Sequence, residues 1–471
     1  MAGIYRFINT NIPAEGCNLR CEYCYIRQHG DEAMLEIDRS KKLFNYSTPH
    51  MLRALRTERM GGACMFNISG TGETLLNPEI FPIVYGLLAE GHYVALISNC
   101  TITKVIEQFG NMPQEYRHRL FFKASFHYRE LKKKGILDTY VRNIHLMKEC
   151  QIAFSIEIVS NDHVLEELDE LKDFCLQNFG ALPHVLAGRD ETVRGTFPKY
   201  ETKLSEQEFR EVWSAFDSDL FRYQDTDYVL PHNDGFCYAG VYTGSLDLET
   251  GDFTSCPGGK KLTNFFEDID QPIQFTPVGA CPFPYCFCGF FLHVLAGVAR
   301  EKYEPKVKFF QFRDRQCTDG STWLTPSIRE VFSHRCAEYH EDFEDDKKEY
   351  LSALMQVYYG NAECRRDKLS RLSGMIEKTL HDKNIRCIGI YGMGNLGNWL
   401  LDLLKETDIQ VVCGIDRRAG AIESSIPVVT CEDIPEYLDA IIVSVFYEYT
   451  QIAPVLREKT KALILSACDI I

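Results

Sequence analysis

The chain has no unbroken apolar run of about eighteen residues, the least that a membrane-crossing helix requires. Its first residues, MAGIYRFINTNIPAEGC, lack a long apolar stretch followed by a small-residue cleavage site, so no secretory signal is expected. An excess of positive charge is missing too. The 51 Lys and Arg are outnumbered by 67 Asp and Glu, for a net charge of −16. That balance disfavours a general nucleic-acid binder and says little about the substrate. There is no internal repeat and no low-complexity tract. What remains is a globular protein of 471 residues, 45% hydrophobic and 25% charged, with room for about three domains that each bury a core.

Cysteine is the residue in surplus, with nineteen copies. An odd count without a secretory signal points to a reducing, cytoplasmic setting rather than a disulfide scaffold. Three cysteines lie at 17–24 and five at 237–288. The others, such as Cys64, Cys150, Cys175, Cys387 and Cys413, are single and read as small buried hydrophobes.

Up to about residue 200, short apolar runs alternate with helical patterns. ACMFNIS (63–69), HYVALIS (92–98), LFFKASF (120–126), IAFSIEIV (152–159) and ALPHVLA (181–187) read as strands, after a first strand near residues 3–8. Helices are expected at 48–60 and 77–90, opened by Thr48-Pro49 and Asn77-Pro78, and at 139–150 and 163–179. Six such units fit either a doubly wound sheet or a barrel. Residues 201–300 turn rich in Gly, Pro, aromatics and Cys, with a hairpin expected about Glu249-Thr250-Gly251. Residues 300–380 look mainly helical. From 384 a third pattern alternates strands with helices, a compact Rossmann-like unit.

CNLRCEYCY (17–25) places Cys17, Cys21 and Cys24 at C-x3-C-x2-C spacing. Three thiols are too many for one disulfide and one short of a closed tetrahedral zinc site. They suit a 4Fe–4S cluster, usually held by four cysteines, with one iron left open. The loop resembles the signature of the radical S-adenosylmethionine (SAM) superfamily. That resemblance implies that SAM binds the open iron through its amino and carboxylate groups. Its reductive cleavage then yields a 5′-deoxyadenosyl radical that abstracts a substrate hydrogen. It implies a partial (βα)6 TIM-type barrel over about residues 1–200, with Tyr23 against the adenine. SGTGETLL (69–76) resembles the family's glycine-rich segment, at Gly70, Gly72 and Glu73. Ser98 and Asn99, Ser125, and Glu157 with Ser155 end the next strands and are expected around SAM, as is the backbone of HVLAGRDE (184–191). His127 and His184 read as structural histidines. No catalytic acid–base pair is singled out, because radical chemistry asks little of such groups.

The later cysteines form C-x13-G-x4-C from Cys237 through Gly251 to Cys256, followed by Cys281, Cys286 and Cys288. They resemble the auxiliary-cluster module of SPASM and Twitch proteins, with too few cysteines for two further clusters. One auxiliary iron–sulfur cluster is expected, on Cys237, Cys256 and Cys288, with Cys281 and Cys286 competing for the fourth place. A zinc ribbon is the alternative. Gly392, Gly394 and Gly397 form GxGxxG between a strand and a helix, and Asp416 ends the next strand. This pattern suits a dinucleotide, although a substrate-holding or interaction module has the same outline.

The expected units are a radical SAM barrel (1–205), an auxiliary-cluster module (206–300), a mainly helical linker (301–383) and a Rossmann-like α/β domain (384–471). The resemblance implies an enzyme of the oxidoreductase or maturase class, served by a reducing partner such as flavodoxin or ferredoxin. It acts on a small molecule or a peptide, with oxidation of a carbohydrate-like hydroxyl as one outcome. A peptide-modifying maturase is the alternative within the class, although no winged-helix peptide-recognition segment is read ahead of the barrel. A metal-stapled scaffold is the alternative outside it. Neither nucleic acid nor membrane is expected as a partner.

Overall fold

The computed structural model describes residues 3–190, 192, 199–227, 230–231, 234–256, 258–283, 285–286, 290–299, 308–360 and 366–471. Cys288, expected as a cluster ligand, lies outside the described residues. Strands β1 (Arg6–Ile12), β2 (Cys64–Gly70), β3 (Tyr93–Ser98), β4 (Leu120–Ser125), β5 (Ala153–Val159) and β6 (His184–Leu186) lie side by side in chain order. Every neighbouring pair is parallel. Helices α1 (Thr48–Ala54), α2 (Ile80–Ala89), α3 (Thr103–Gly110), α4 (Leu137–Glu149) and α5 (Leu168–Phe179) fall between them. Of the two folds that the apolar runs allow, the result is the partial (βα)6 barrel that the family resemblance implies.

The strands read as unbroken apolar runs because both faces are buried. Phe66, Val94, Leu96, Phe122 and Ile156 share a core with Val84, Leu87, Ile106, Ile144 and Leu171 from the helices. Their alternates Met65, Ala95, Phe121 and Ala153 face a second core, as the two-residue period of a strand requires. That second core is filled by Phe309, Phe312, Leu324, Ile328 and Phe332. Part of the expected linker is therefore a plug against the sheet, built from short turns and the six-residue helix Pro326–Val331. Further on, the expected helical character holds in α6 (Asp345–Tyr359) and α7 (Arg366–Asp382).

Three helix boundaries differ from expectation, one of them at 163–179, where a 3-10 turn over Asp162–Glu167 precedes α5. The helix predicted at 48–60 is broken into α1 and a second turn, Thr57–Met60. The helix predicted from Asn77 begins at Ile80. The Asn77 side chain is occupied instead, donating to the Pro13 carbonyl at 2.5 Å and accepting from the Glu79 N–H at 2.8 Å.

The cysteine-rich hairpin is not a separate layer. Its strands β7 (Thr243–Asp247), β8 (Asp252–Thr254) and β9 (Lys261–Asn264) extend the barrel sheet from the free edge of β1. β7 runs parallel to β1, pairing Phe7 with Thr243 through to Asn11 with Asp247. The turn forms where the sequence places it, with Gly251 at φ +80°, a conformation that glycine adopts without penalty. Phe253 stacks on Phe265 at 4.5 Å between ring centres and belongs to the same core as the barrel helices.

Five strands, β10 (Cys387–Tyr391), β11 (Gln410–Ile415), β12 (Val428–Val429), β13 (Ala440–Val443) and β14 (Leu463–Ser466), form a second, fully parallel sheet. Its order is β12-β11-β10-β13-β14, with the first strand in the middle, as in open doubly wound sheets. Helices α8 (Asn395–Leu404) and α9 (Tyr449–Lys459) connect its strands. It joins the rest through α6, where Tyr350 packs near Trp399 and donates to the Ala467 carbonyl at 2.6 Å. Among the described residues no helix is long and apolar enough to cross a membrane.

Because the hairpin shares the barrel's core, Phe253→Ala is expected to cost about 3–5 kcal/mol of stability. Circular dichroism melting of the metal-free chain checks this: the main transition should shift down as a whole, with no separate early melting of the cysteine-rich segment.

Candidate functional site

The C-terminal end of β1 runs into the first cysteine loop. Gly16 turns the chain at φ +138°, where a Cβ would meet the Glu36 carbonyl at 2.5 Å. The Cys17 N–H then donates to Leu35 O at 2.9 Å. Arg20 braces the loop from outside. Its guanidinium donates to the Cys17 carbonyl and to Leu19 O, and its N–H to Glu130 at 3.1 Å. Cys24 ends the loop as the residue before the short helix Tyr25–Gln28.

The glycine-rich turn lies directly on this loop. Gly72 has φ +128°, and a Cβ there would sit 2.3 Å from the Gly16 carbonyl oxygen. The Glu73 N–H donates to that same oxygen at 2.9 Å. The Glu73 carboxylate is buried and accepts from Leu75 N–H (3.0 Å), Ser98 Oγ (2.7 Å) and Asn99 N–H (2.9 Å). Asn99 in turn donates to Asn18 Oδ1 at 2.8 Å. Burial pushes the Glu73 carboxyl up, against the pull of these hydrogen bonds. Glu73, Ser98 and Asn99 thus form one network that ties the ends of β2 and β3 to the cysteine loop.

Above it opens a cavity of about 470 Å³, lined by all three cysteines together with Tyr23, Gly70, Gly72, Glu73, Ser98, Asn99 and Ser125. Burial, followed by the charges of Glu73 and Cys24, pushes the Cys17 thiol up to about 11. Burial, then Cys17 and Cys24, raises Cys21 further. Three thiols on one loop that open into the same cavity are a donor set that fits a metal group, which binds cysteine as thiolate.

The lining also includes Lys123 and His127, which lay outside the sequence expectation, and the Arg189 side chain from the expected 184–191 segment. His127, read as structural, faces the cavity and holds the Tyr23 hydroxyl at 2.7 Å through Nδ1. Burial lowers it to about 4, so it is neutral. The signal was present in KASFHY, where Lys123, Ser125 and His127 alternate toward one face. His184 is buried away from the cavity, and burial, with Arg315 and Arg313 nearby, keeps it neutral.

Glu157 stands apart from the expected site. It does not line the cavity. It forms an ion pair with Arg313, both side chains being almost fully buried (3% and 0% exposed). The pair fastens the plug segment to β5.

The second group of cysteines also converges. Cys237 is held by paired backbone hydrogen bonds with Gly279, at 2.8 and 3.0 Å. Its thiol is pushed well above the ordinary value by burial and by Cys281, Cys286 and Cys256 around it. Cys281 and Cys286, expected to compete for one place, are both near enough to Cys237 to act on its thiol electrostatically.

A second cavity, of about 630 Å³, opens at the C-terminal sheet beside Gly392, Gly394, Asp416, Arg417, Arg418 and Tyr447. Gly392 turns at φ +87°, and a Cβ on Gly397 would lie 2.1 Å from its carbonyl, so helix and strand pack closely there. Gly394 has nothing within 4 Å of where a Cβ would sit. Asp416 accepts from the Met393 N–H at 3.1 Å and the Arg418 N–H at 2.9 Å, bracing the loop beside the cavity.

Replacing Arg313 by Met would leave Glu157 buried without its counter-ion, at an expected cost of about 3–5 kcal/mol. A Glu157→Leu/Arg313→Met double variant should recover most of the stability in thermal melts. Recovery of SAM affinity alongside it, by calorimetry, would mark Glu157 as structural.

No curated protein matches the chain. Among solved structures it is similar to Streptococcus suis SuiB bound to S-adenosylmethionine, at 15% identity over 63% of this chain and 69% of that one, with a TM-score of 0.40. It is also similar to native anSMEcpe with bound AdoMet and Cp18Cys peptide, at 15% identity over 57% and 79%, TM-score 0.37. BtrN in complex with AdoMet and 2-DOIA matches at 10% identity over 56% and 80%, TM-score 0.25. Residues 11–175 match the family model of the Radical SAM superfamily. This segment, with the cysteine loop and the glycine-rich turn inside it, is a radical SAM superfamily domain.

Proposed function

We propose that the chain is a radical SAM enzyme with one auxiliary iron–sulfur cluster, oxidising a small carbohydrate-like substrate through abstraction of a hydrogen atom. The observation that carries this reading is the set of three thiols on one loop, opening into a cavity against a glycine-rich turn. Cys17, Cys21 and Cys24 would hold a 4Fe–4S cluster and leave one iron for SAM. A cluster held there would supply, from an external one-electron donor such as flavodoxin or ferredoxin, the electron for reductive cleavage of SAM to methionine and a 5′-deoxyadenosyl radical.

The chain's own residues do the positioning. The Gly70–Glu73 backbone packs directly on the cysteine loop because Gly72 carries no side chain, and its carbonyls, at the wall of the cavity, suit the SAM ammonium. Tyr23, its hydroxyl fixed by neutral His127, offers a flat surface to the adenine. Ser125 suits a ribose hydroxyl, and Lys123 and Arg189 suit carboxylate or other anionic groups at the same wall. Ser125, Lys123 and Arg189, polar groups on an otherwise largely apolar wall, are the support for a hydroxyl-rich substrate.

Cys237, Cys256 and Cys288, with Cys281 or Cys286 in the fourth place, would hold an auxiliary cluster suited to accept the second electron of a two-electron oxidation. In the C-terminal unit, the glycine turn and the Arg417-Arg418 pair beside a sizeable cavity support a diphosphate-bearing nucleotide. None of the described cysteines forms a disulfide, which suits a reducing, cytoplasmic setting.

Anaerobic reconstitution tests this reading. The chain should take up about eight irons, four for each cluster, and release 5′-deoxyadenosine from SAM with dithionite. Ala at Cys17, Cys21 or Cys24 should abolish that release, and release that persists in all three variants refutes the site. Ala at Cys237 and Cys256 should remove about half of the iron while SAM cleavage without substrate turnover continues.

A further inference from the structure

Three tyrosines join the auxiliary cysteine site to the C-terminal cavity. Tyr359 ends α6 beside the cysteines. Its hydroxyl accepts from the Lys260 N–H at 3.2 Å and lies 3.5 Å from Ser255 Oγ. Ser255 Oγ in turn donates to Cys256 Sγ at 3.7 Å. Phe283, two residues after Cys281, meets the Tyr359 ring edge to face at 5.8 Å.

From there the path continues through the next residue back in the chain. The Tyr358 ring stacks on Tyr447 at 5.0 Å and 26°, and Tyr447 lines the C-terminal cavity. Tyr358 is itself fixed on several sides. Its hydroxyl donates to the Lys261 carbonyl at 2.7 Å, and its own carbonyl accepts from Lys260 Nζ at 2.9 Å. The Lys260 ammonium lies over both rings, at 5.1 Å from Tyr358 and 5.4 Å from Tyr359.

The geometry has two consequences. Val445, Tyr447 and Glu448 line the cavity at the turn between β13 and α9, so a ligand there presses on the segment that carries the stack. At the other end, the Tyr359 hydroxyl sets how Ser255 is shared between a phenol and a cysteine sulfur. Hydrogen bonds to the sulfurs are among the main determinants of an iron–sulfur cluster's potential.

We propose that the Tyr447–Tyr358–Tyr359 chain of rings, stacked at its first contact and edge to face at its second, couples the two sites, so that a diphosphate-bearing nucleotide in the C-terminal cavity shifts the reduction potential of the cluster held by Cys256. This rests on the reading of both sites given under the proposed function. Tyr358 is a positioning residue: it lines neither the cavity nor the cysteine site and connects the two.

The test uses the full chain with both clusters reconstituted. The auxiliary cluster is followed by potentiometric titration with EPR detection, SAM being added to mark the signal of the first cluster. NAD, NADP and UDP-glucose serve as probes, one at a time, with binding read by thermal shift. At least one probe should bind and change the reduction equilibrium of the SAM-insensitive signal about tenfold, about 59 mV for a one-electron couple. Tyr358→Ala should abolish the shift and Tyr358→Phe should keep it, with iron content and probe binding retained in both. By reciprocity, the probe's affinity for the wild type should differ by the same factor between the oxidised and reduced protein.

A probe that binds without moving the midpoint, or that moves it equally in Tyr358→Ala, overturns the coupling. Equal probe affinity in the two redox states of the wild type overturns it as well, whatever the variants do. Binding of none of the three probes overturns the nucleotide reading and the coupling with it. Iron for a single cluster overturns the auxiliary reading.

Discussion

One buried carboxylate organises the first site. Glu73 accepts three hydrogen bonds from the ends of β2 and β3, and its own N–H reaches back to Gly16 in the cysteine loop. A carboxylate out of water is stable only when its lone pairs are satisfied. Its partners are therefore obliged to stay together, and so are the loops that bear them. Gly72 is the steric half of the same constraint, since any side chain there would collide with Gly16. The Gly70–Glu73 turn, Ser98 and Asn99 act first on each other. The cavity exists because they leave the backbone of the turn exposed to it.

The nine-stranded sheet sets the relation between the two groups of cysteines. β1 leads from its C-terminal end into Cys17, Cys21 and Cys24. β7 runs parallel beside it, and β8 returns antiparallel toward Cys256. The register puts the Cys237–Cys256 group toward the other end of the same strand pair. A strand of seven residues spans about 20 Å, so a rigid element of fixed length separates the groups. The C-terminal unit then packs onto this frame through α6 and the Phe446–Glu448 turn, with aromatic side chains carrying much of the contact.

Much of this was legible in the sequence, for local reasons. The order of strands and helices followed from apolar periodicity, because burial on both sheet faces leaves an unbroken run. The turn at Gly251 and the roles of Gly392 and Gly397 followed from backbone conformations and close approaches that exclude a side chain. Other features were out of reach. Glu157 sits at a strand end among residues that line the cavity, and nothing nearby in sequence marks Arg313 as its partner, 156 positions away. The linker's apolar residues gave no indication that they pack on the sheet. Lys123 and His127 were within reach by alternation, but a lone histidine on an apolar strand reads equally well as core.

The sequence by itself determined the first cysteine loop, the parallel βα order and the glycine turns. In each case the interacting groups are neighbours along the chain, so spacing and steric rules suffice. Tertiary structure alone decided that Cys281 and Cys286 both come near enough to Cys237 to act on its thiol, that the hairpin continues the barrel sheet, and that Glu157 is taken by Arg313. It also decided that three tyrosines span two sites. These depend on which surfaces meet after folding, and residue types that suit several partners do not encode that choice locally.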